Sequence, residues 1–531
     1  MIEILHKDLL ARIARFQTKT STIETPAFVP VVHPIKELIS PRRMHDEFNC
    51  KIIITNAYLL SKAGKEEPIH ALLDYPGTIM TDSGAYQLLI YGGVDTTPTQ
   101  IIEYQEKIES DIAVILDVPT GGYASYSKAQ DTVNETLRRA KESVSHRTKS
   151  DILWVGPIQG GIYPDLVENA AQEITKLDFP LVAIGSPTQL MEQYHFDKLI
   201  DLIMAAKSNI PTNKPVHLFG AGHPLIFPLI VALGCDLFDS AAYALFAQHD
   251  RILSPEGTYR LQDLREEFCF CPVCRKYTIR EVKQLPKQER IQALAEHNLW
   301  VCQHEINRVK QAIREGRLWR LIEIRLNSHP ALIDAMHTMV KYHQNIERSS
   351  PITKKRAIFI TSRWSLFQPE IVRHTLRMRS YTPPPSKHDA LLLFSAPQTR
   401  PHHTAKEFER FVKLFHESSQ RKQRHFDIIF ISPFFGLVPY ELSTIYPLAQ
   451  NELPQEAITE NQILVIRELE QYIKRNQQYN RLFGIFESTD YWQKFTRLCE
   501  QLLKKSKKPI SLFHTDFSTQ SLKQLITKLS E

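Results

Sequence analysis

Three cysteines lie within six residues of one another and form the most specific chemical pattern in this chain of 531 residues. The pattern is C-x-C-x2-C, and a histidine follows the third cysteine after 22 intervening residues. The four side chains are Cys269, Cys271, Cys274 and His297. Three thiolates and one imidazole form a closed tetrahedral set of the type that holds structural zinc, and thiolate ligands disfavour magnesium and calcium. The spacing therefore predicts one structural zinc ion per chain, with Cys302 and His304 as alternative fourth ligands on the same predicted helix.

A second set of reactive residues consists of aspartates that end apolar runs. They are Asp82, Asp117 and Asp239. Two carboxylates that face one substrate can divide the work of nucleophile and general acid/base, as they do at the anomeric carbon of a glycoside. An aspartate at the end of a strand can equally cap the following helix. By themselves, the three aspartates leave both interpretations open.

These residues need a framework that brings them together, and apolar runs alternating with amphipathic stretches predict one. The runs are rich in Val, Ile and Leu and continuous, as in strands buried on both faces. The eight predicted strands are Phe28–Val32, Ile52–Thr55, Thr78–Asp82, Ile112–Asp117, Leu153–Gln159, Leu181–Gly185, Val216–Phe219 and Leu237–Asp239. Their alternation with helices predicts an α/β fold, a (β/α)8 TIM barrel. Active sites of this fold lie at the C-terminal ends of the strands, where the aspartates fall.

Composition and charge narrow the classes of function. Hydrophobic residues make up 43% and charged residues 23% of the chain, which is typical of a soluble globular protein. No apolar run is long enough to span a membrane, and the few, odd-numbered cysteines point to a reducing, cytoplasmic location. Residues 1–274 carry a net charge of −10 and residues 275–531 a net charge of +16. The basic half suggests an anionic partner such as nucleic acid, although a solvated basic surface is an equal alternative.

The domain organisation follows from these patterns. We expect a catalytic barrel at 1–265, a zinc-binding subdomain with the closing barrel helices at 266–346, a basic linker at 347–356 and a smaller α/β domain at 357–531. A strongly helical segment is predicted from His297 to about Arg325. Basic residues within it, after the cysteine cluster, are candidates for phosphate contacts: Arg308, Lys310, Arg314, Arg317, Arg320 and Arg325.

Five motifs resemble those of the tRNA-guanine transglycosylases in order and spacing. They are Thr81–Gln87, Pro157–Gly161, Ala183–Ser186, Leu237–Ala241 and the cysteine cluster. The resemblance covers about residues 1–330 and is greatest to the archaeal branch, which exchanges guanine at position 15 of the tRNA D-loop for 7-cyano-7-deazaguanine (preQ0) on the way to archaeosine. A weaker similarity continues at 431–450.

The resemblance implies a role for each matching residue. Asp239 would attack ribose C1′ and form a covalent RNA–enzyme intermediate, with Asp82 as general acid/base, while Tyr86 would stack on the base. Three side chains would hydrogen-bond the polar edge of the base: Ser83, Asp117 and Gln159. Three consecutive residues would close the pocket with their backbone: Gly185, Ser186 and Pro187.

The resemblance also implies partners. These are tRNA, preQ0 and a second copy of the chain in a homodimer built around the zinc region. Archaeal relatives usually end in an RNA-binding PUA domain, and Ile510–Glu531 lacks its glycine-rich strand pattern. We therefore expect that module to be absent or supplied by a separate PUA-domain protein. An archaeosine synthase-like paralogue and a non-catalytic tRNA-binding subunit are the alternatives, and the presence of both Asp82 and Asp239 argues against each.

Overall fold

The computed structural model of the chain describes residues 2–85, 96–185, 187–384, 388–418, 426–454, 461–503 and 508–530. The chain divides into two units. The first comprises Met1–Tyr342 with Ser349–Pro351, and the second comprises His343–Arg348 with Ile352–Glu531. The finer division of the first unit into a barrel and a zinc subdomain stays a prediction.

The first unit is built around a parallel sheet of eight strands that nearly closes on itself. The described strands of this unit are β1 (Ile2–Asp8), β2 (Ala11–Gln17), β3 (Thr22–Thr25), β4 (Ala27–Pro30), β5 (Ile52–Asn56), β6 (Thr78–Asp82), β7 (Ile112–Val114), β8 (Leu153–Ile158), β9 (Leu181–Ile184), β10 (Val216–Leu218), β11 (Leu237–Ser240), β12 (Arg251–Ser254) and β13 (Gly257–Arg260). The sheet runs from β5 in order to β11, which pairs with β4. A bridge between Val31 and Ile54 then joins β4 to β5. The predicted (β/α)8 barrel is confirmed.

Helices separate the barrel strands and continue beyond them. The described α-helices of the first unit are Pro41–Asp46, Ala57–Lys62, Ile69–Leu73, Pro98–Lys107, Tyr126–His146, Pro164–Lys176, Thr188–Glu192, Phe196–Lys207, Phe227–Ala232, Ala242–Gln248, Pro272–Lys276, Ile279–Gln284, Lys287–Glu315, Leu318–Leu326 and Pro330–Met339. The helical segment predicted from His297 to about Arg325 consists of two helices, because Gly316 ends Lys287–Glu315 in the left-handed conformation with φ 68°. Glycine adopts this conformation without a Cβ penalty, and it commonly ends helices for that reason. No described helix is both long enough and apolar enough to cross a membrane.

A three-stranded antiparallel sheet of β1, β2 and β3 covers the N-terminal end of the barrel. Phe16 and Ile23 are buried among the residues that fill the barrel interior. Arg12 donates from Nε and Nη2 to the carboxylate of Asp236, at 2.7 Å in both cases. With this end closed, the C-terminal end of the barrel is the one that can admit a substrate.

A partly buried polar contact at the same end, between His70 and Asp111, predicts pH-dependent stability. The His70 Nε2 atom lies 3.0 Å from Asp111 Oδ2, and Nδ1 lies 2.9 Å from the Tyr75 carbonyl. Burial lowers the pKa of His70, and the positive charge of Lys19 lowers it as well. The hydrogen bonds to Asp111 and Tyr75 and the negative charge of Asp111 outweigh these two effects, so the pKa of His70 is raised.

A histidine with a raised pKa contributes stability that is fully present below its unfolded pKa, about 6.5, and is lost as pH rises through the folded pKa. We therefore expect His70→Gln to lower the free energy of unfolding more at about pH 6 than at about pH 8. Denaturant titrations at both pH values measure this difference. Asp111→Asn should remove the same pH dependence. If His70→Gln lowers the free energy of unfolding equally at both pH values, the raised pKa of His70 does not contribute to stability.

The second unit is the predicted α/β domain. Its described strands are β14 (Ile358–Phe359), β15 (Ala390–Ser395), β16 (Phe426–Ser432), β17 (Gly436–Pro439), β18 (Asn451–Glu452), β19 (Arg481–Glu487) and β20 (Ile510–Thr515). Its described α-helices are His343–Ser349, Pro369–Met378, Lys406–Ser418, Gln462–Arg475, Asp490–Leu503 and Thr519–Ser530. The main sheet has the order β17-β16-β15-β19-β20, with β17 antiparallel at one edge. Successive residues of its central strands alternate between two apolar clusters.

Candidate active site

A pocket of about 730 Å³ opens where the barrel strands end, and ligand pockets typically hold about 300–1,000 Å³. Five predicted site residues line it: Asp82, Asp117, Gln159, Gly185 and Asp239. Ser83 and Pro187 are buried and are not among the residues that line the pocket. Tyr86 and Ser186 lie outside the described residues. The strand ends therefore bring three carboxylates and one amide into one pocket.

Asp239, on β11, is 9% exposed at the base of this pocket. Its Oδ1 accepts a hydrogen bond from the Gly220 backbone N–H at 3.1 Å. The Nε2 atom of His217, on β10, lies 2.7 Å from the same oxygen. No described residue makes a hydrogen bond with Oδ2. One carboxylate oxygen is thus held in place and the other is available for chemistry.

Asp82 ends β6 and has two neutral partners. Its Oδ2 accepts hydrogen bonds from the Asn56 amide and from the Gly84 backbone N–H, both at 3.2 Å. Burial and the negative charges of Asp117 and Asp239 together raise the pKa of Asp82 to about 7. A carboxyl group with this pKa exists in both protonation states near neutral pH, so it can donate a proton in one step and accept one in another.

Asp117 and Gln159 form a connected pair across the pocket. The Gln159 amide donates to Asp117 Oδ2 at 2.5 Å, while its carbonyl oxygen accepts from the Thr120 N–H at 3.0 Å. These contacts fix the direction of the amide. Burial raises the pKa of Asp117 to about 6, although the Gln159 hydrogen bond lowers it. A Cβ on Gly185 would lie 2.2 Å from Gln159 Nε2, so the close approach requires glycine here.

Ser83 differs from its neighbours because its hydroxyl is unsatisfied. The side chain is fully buried, and its Oγ has no hydrogen-bond partner among the described residues. A buried polar atom without a partner costs free energy. This hydroxyl is therefore a candidate to bond a ligand.

The four predicted metal ligands come together away from this pocket. The ligand atoms of Cys269, Cys271, Cys274 and His297 all lie within 4.8 Å of one another. His297 Nδ1 is 3.4 Å from Cys271 Sγ and 3.2 Å from Cys274 Sγ. Its Nε2 lies 3.1 Å from the Leu253 carbonyl, which is the second hydrogen bond typical of a metal-bound histidine. This donor set fits a tetrahedral metal ion, and no open ligand position remains for catalysis.

The alternative fourth ligands are excluded by their positions. Cys302 is buried, and its Sγ lies 3.8 Å from the Gly222 carbonyl rather than among the other thiols. His304 is exposed on the surface of the same helix. Neither belongs to the group of side chains that meet at the cluster.

Two residues that contact the aspartates were not predicted from the sequence. His217 and Asn56 hydrogen-bond Asp239 and Asp82, respectively. Both are polar residues within or at the end of otherwise apolar strands. A histidine flanked by Val216 and Leu218 in a strand buried on both faces is the signal that could have revealed His217.

Comparison with known proteins identifies the family. A profile described as queuine tRNA-ribosyltransferase matches residues 8–331, which is more than half of the chain. The chain belongs to the queuine tRNA-ribosyltransferase family. A second profile, described as a domain of unknown function (DUF5591), matches residues 371–529.

Several archaeal members of this family are similar over most of the chain. The tRNA-guanine(15) transglycosylase of Methanocaldococcus jannaschii is 41% identical over 466 residues, which cover 85% of this chain and 68% of the relative. The protein of the same name from Methanosphaera stadtmanae is 40% identical, with the same coverage. That of Sulfolobus acidocaldarius is 39% identical over 458 residues, covering 85% of this chain and 88% of the relative.

Proposed function

We propose that this chain is an enzyme that exchanges guanine at position 15 of the tRNA D-loop for preQ0. The observation that carries the proposal is the arrangement of Asp82, Asp117 and Asp239 around one pocket. Family membership and archaeal relatives named tRNA-guanine(15) transglycosylase support the same reaction. A binding subunit without activity would have no need of three carboxylates gathered in one pocket, since withdrawing charge from water costs free energy.

The first half of the reaction removes guanine. The Oδ2 atom of Asp239 attacks ribose C1′, the C1′–Oδ2 bond forms and the bond from C1′ to guanine N9 breaks. The electron pair of that bond goes to the base, and protonated Asp82 supplies the proton that guanine gains. The product is free guanine and a covalent ester between Asp239 and the tRNA.

The second half inserts the new base. Asp82, now a carboxylate, accepts the N9 proton of preQ0, and N9 attacks C1′. The C1′–Oδ2 bond breaks and its electron pair returns to Asp239. Two displacements at one carbon retain its configuration, as in retaining glycosidases.

The base would be held by the residues around the Asp117–Gln159 pair. The Asp117 carboxylate suits the N–H groups of a guanine-like edge, and the Gln159 amide would interact with its carbonyl oxygen. Ser83 would contribute its hydroxyl, and the Gly185, Ser186 and Pro187 backbone would close the pocket with Tyr86 stacked on the ring. Since position 15 lies inside folded tRNA, the nucleotide must flip out, at a cost of a few kcal/mol.

Incubation of the purified chain with preQ0 and an unmodified tRNA transcript tests this function. We expect preQ0 at position 15, found by digestion and mass spectrometry of the nucleosides, and none in a transcript with adenosine there. Failure to incorporate preQ0 while guanine is exchanged would reject preQ0 as the substrate but keep the exchange reaction.

The metal that best fits the cysteine cluster is zinc, which would tie the segment 269–274 to the helix Lys287–Glu315. We expect Cys271→Ser to reduce bound zinc well below one ion per chain and to lower the unfolding temperature, because structural zinc contributes folding free energy. Metal analysis and thermal unfolding measure both effects. Cys302→Ser is the matched control, and unchanged zinc in Cys271→Ser would contradict the assignment.

Further partners are proposed from the resemblance. Phe270, between two of the metal ligands, is 88% exposed. Exposed aromatic residues of this kind are typical anchors of protein interfaces, which supports a homodimer around the zinc region. A separate PUA-domain protein would help to bind tRNA, and the proposed compartment is the cytoplasm, where tRNA is modified.

A further inference from the structure

His217 is a buried polar residue whose only described polar contact is with the proposed nucleophile. It is fully buried on β10, and its Nε2 lies 2.7 Å from Asp239 Oδ1. Its other ring nitrogen, Nδ1, is buried and has no hydrogen-bond partner among the described residues. A polar group kept in such surroundings costs stability, so its contact with Asp239 calls for a functional explanation.

The strand register explains why the two side chains meet. His217 pairs with Leu237 of β11 and with Ala183 of β9, and both partners face the barrel interior. Side chains two residues apart on a strand share a face, so Asp239 faces the same side as Leu237. His217 and Asp239 are therefore set by the barrel itself, on rigid neighbouring strands rather than on loops.

We propose that His217 is a positioning residue that selects Oδ2 of Asp239 as the atom that attacks ribose C1′. This inference rests on the proposed function. With its proton on Nε2, the imidazole donates to Oδ1, as does the Gly220 N–H. Both donors therefore bind one oxygen, which stops the carboxylate from rotating and directs Oδ2 into the pocket.

The same two donors serve the second half of the reaction. In the ester, Oδ2 is bonded to C1′ and Oδ1 is the carbonyl oxygen. When the C1′–Oδ2 bond breaks, its electron pair returns to the carboxylate and negative charge develops on Oδ1. Donors already aimed at that atom stabilise the charge without reorganisation. His217 thus acts on both displacements through one hydrogen bond.

His217 does not itself reach the substrate. Phe219 lines the pocket, and its ring centroid lies 4.8 Å from that of the imidazole. His217 is not among the residues that line the pocket. Its loss should therefore affect the rate of the chemical steps and not the binding of tRNA or base.

Steady-state base exchange by purified variants tests the proposal. His217→Phe keeps the ring shape but removes the donor, and we expect kcat to fall about 100-fold or more with both KM values within about threefold of wild type. His217→Gln can place an amide N–H near the same point, and it should restore kcat at least about tenfold relative to His217→Phe. Leu218→Val is the matched control on the opposite face of the strand, and it should keep kcat within about threefold.

The outcomes separate this inference from the proposed function. A folded, metal-loaded wild-type chain without exchange overturns the proposed function and this inference with it. An active wild type with His217→Phe within about threefold of its kcat overturns only the inference. If His217→Phe does not fold, His217→Leu takes its place: a reduced kcat with unchanged KM supports the positioning role, and a kcat within about threefold of wild type overturns it.

Discussion

Asp239→Asn is expected to lower the rate of base exchange by at least about 10⁴-fold. The asparagine side chain has the same shape, and its carbonyl oxygen can still accept the Gly220 N–H that now bonds Oδ1. An amide cannot form the ester with ribose C1′, so the first displacement fails. Single-turnover release of guanine from tRNA measures the loss. On a denaturing gel, the wild type should show a protein–tRNA adduct and the variant none.

Controls for this substitution must separate chemistry from folding. Asp250→Asn changes another carboxylate nearby in sequence, one that pairs with Arg290 and lies outside the pocket lining. It should keep exchange within about threefold of wild type. Exchange by Asp239→Asn within about tenfold of wild type would show that another residue is the nucleophile.

The second large effect is expected at Asp82. Burial and two neighbouring carboxylates raise its pKa to about 7, so the protonated form needed for guanine release is lost above that pH. Guanine release should fall about tenfold per pH unit above about pH 7, and insertion of preQ0 should fall in the same way below it. Asp82→Asn should reduce both half-reactions by about 10²–10⁴-fold and abolish both pH dependences. Rapid-mixing measurements of each half-reaction provide the profiles.

Asp117 provides the control for this prediction. Its charge helps to raise the pKa of Asp82, so Asp117→Asn should move the decline in guanine release to lower pH while weakening base binding. Persistence of the same decline in Asp82→Asn would show that a different group titrates.

The barrel and the aspartates at its strand ends could be predicted because the sequence patterns that reveal them are local. A strand buried on both faces shows as a continuous apolar run, and the aspartates stand at the ends of those runs, as at Thr78–Asp82. The β1–β3 sheet was missed because β1 (Ile2–Asp8) is largely polar and half-exposed. Its role becomes visible only when Phe16 packs inside the barrel.

Contacts between residues that are distant in the chain could not be predicted from the sequence. The hydrogen bond from His217 to Asp239 depends on the register of two strands, which no spacing in the chain reveals. The contact partners of the basic residues after the cysteine cluster could not be predicted either. Arg325 is buried against Glu305, and Arg314 pairs with Glu24, and neither partner could be read from the spacing of the basic residues.

The most direct measurement of the central claim is incorporation of labelled guanine into unmodified tRNA by the purified, metal-loaded chain. Wild type is predicted to place label at position 15 and at no other position, and Asp239→Asn is predicted to place none. Absence of label with a folded wild-type chain, or equal labelling by Asp239→Asn, would contradict the account.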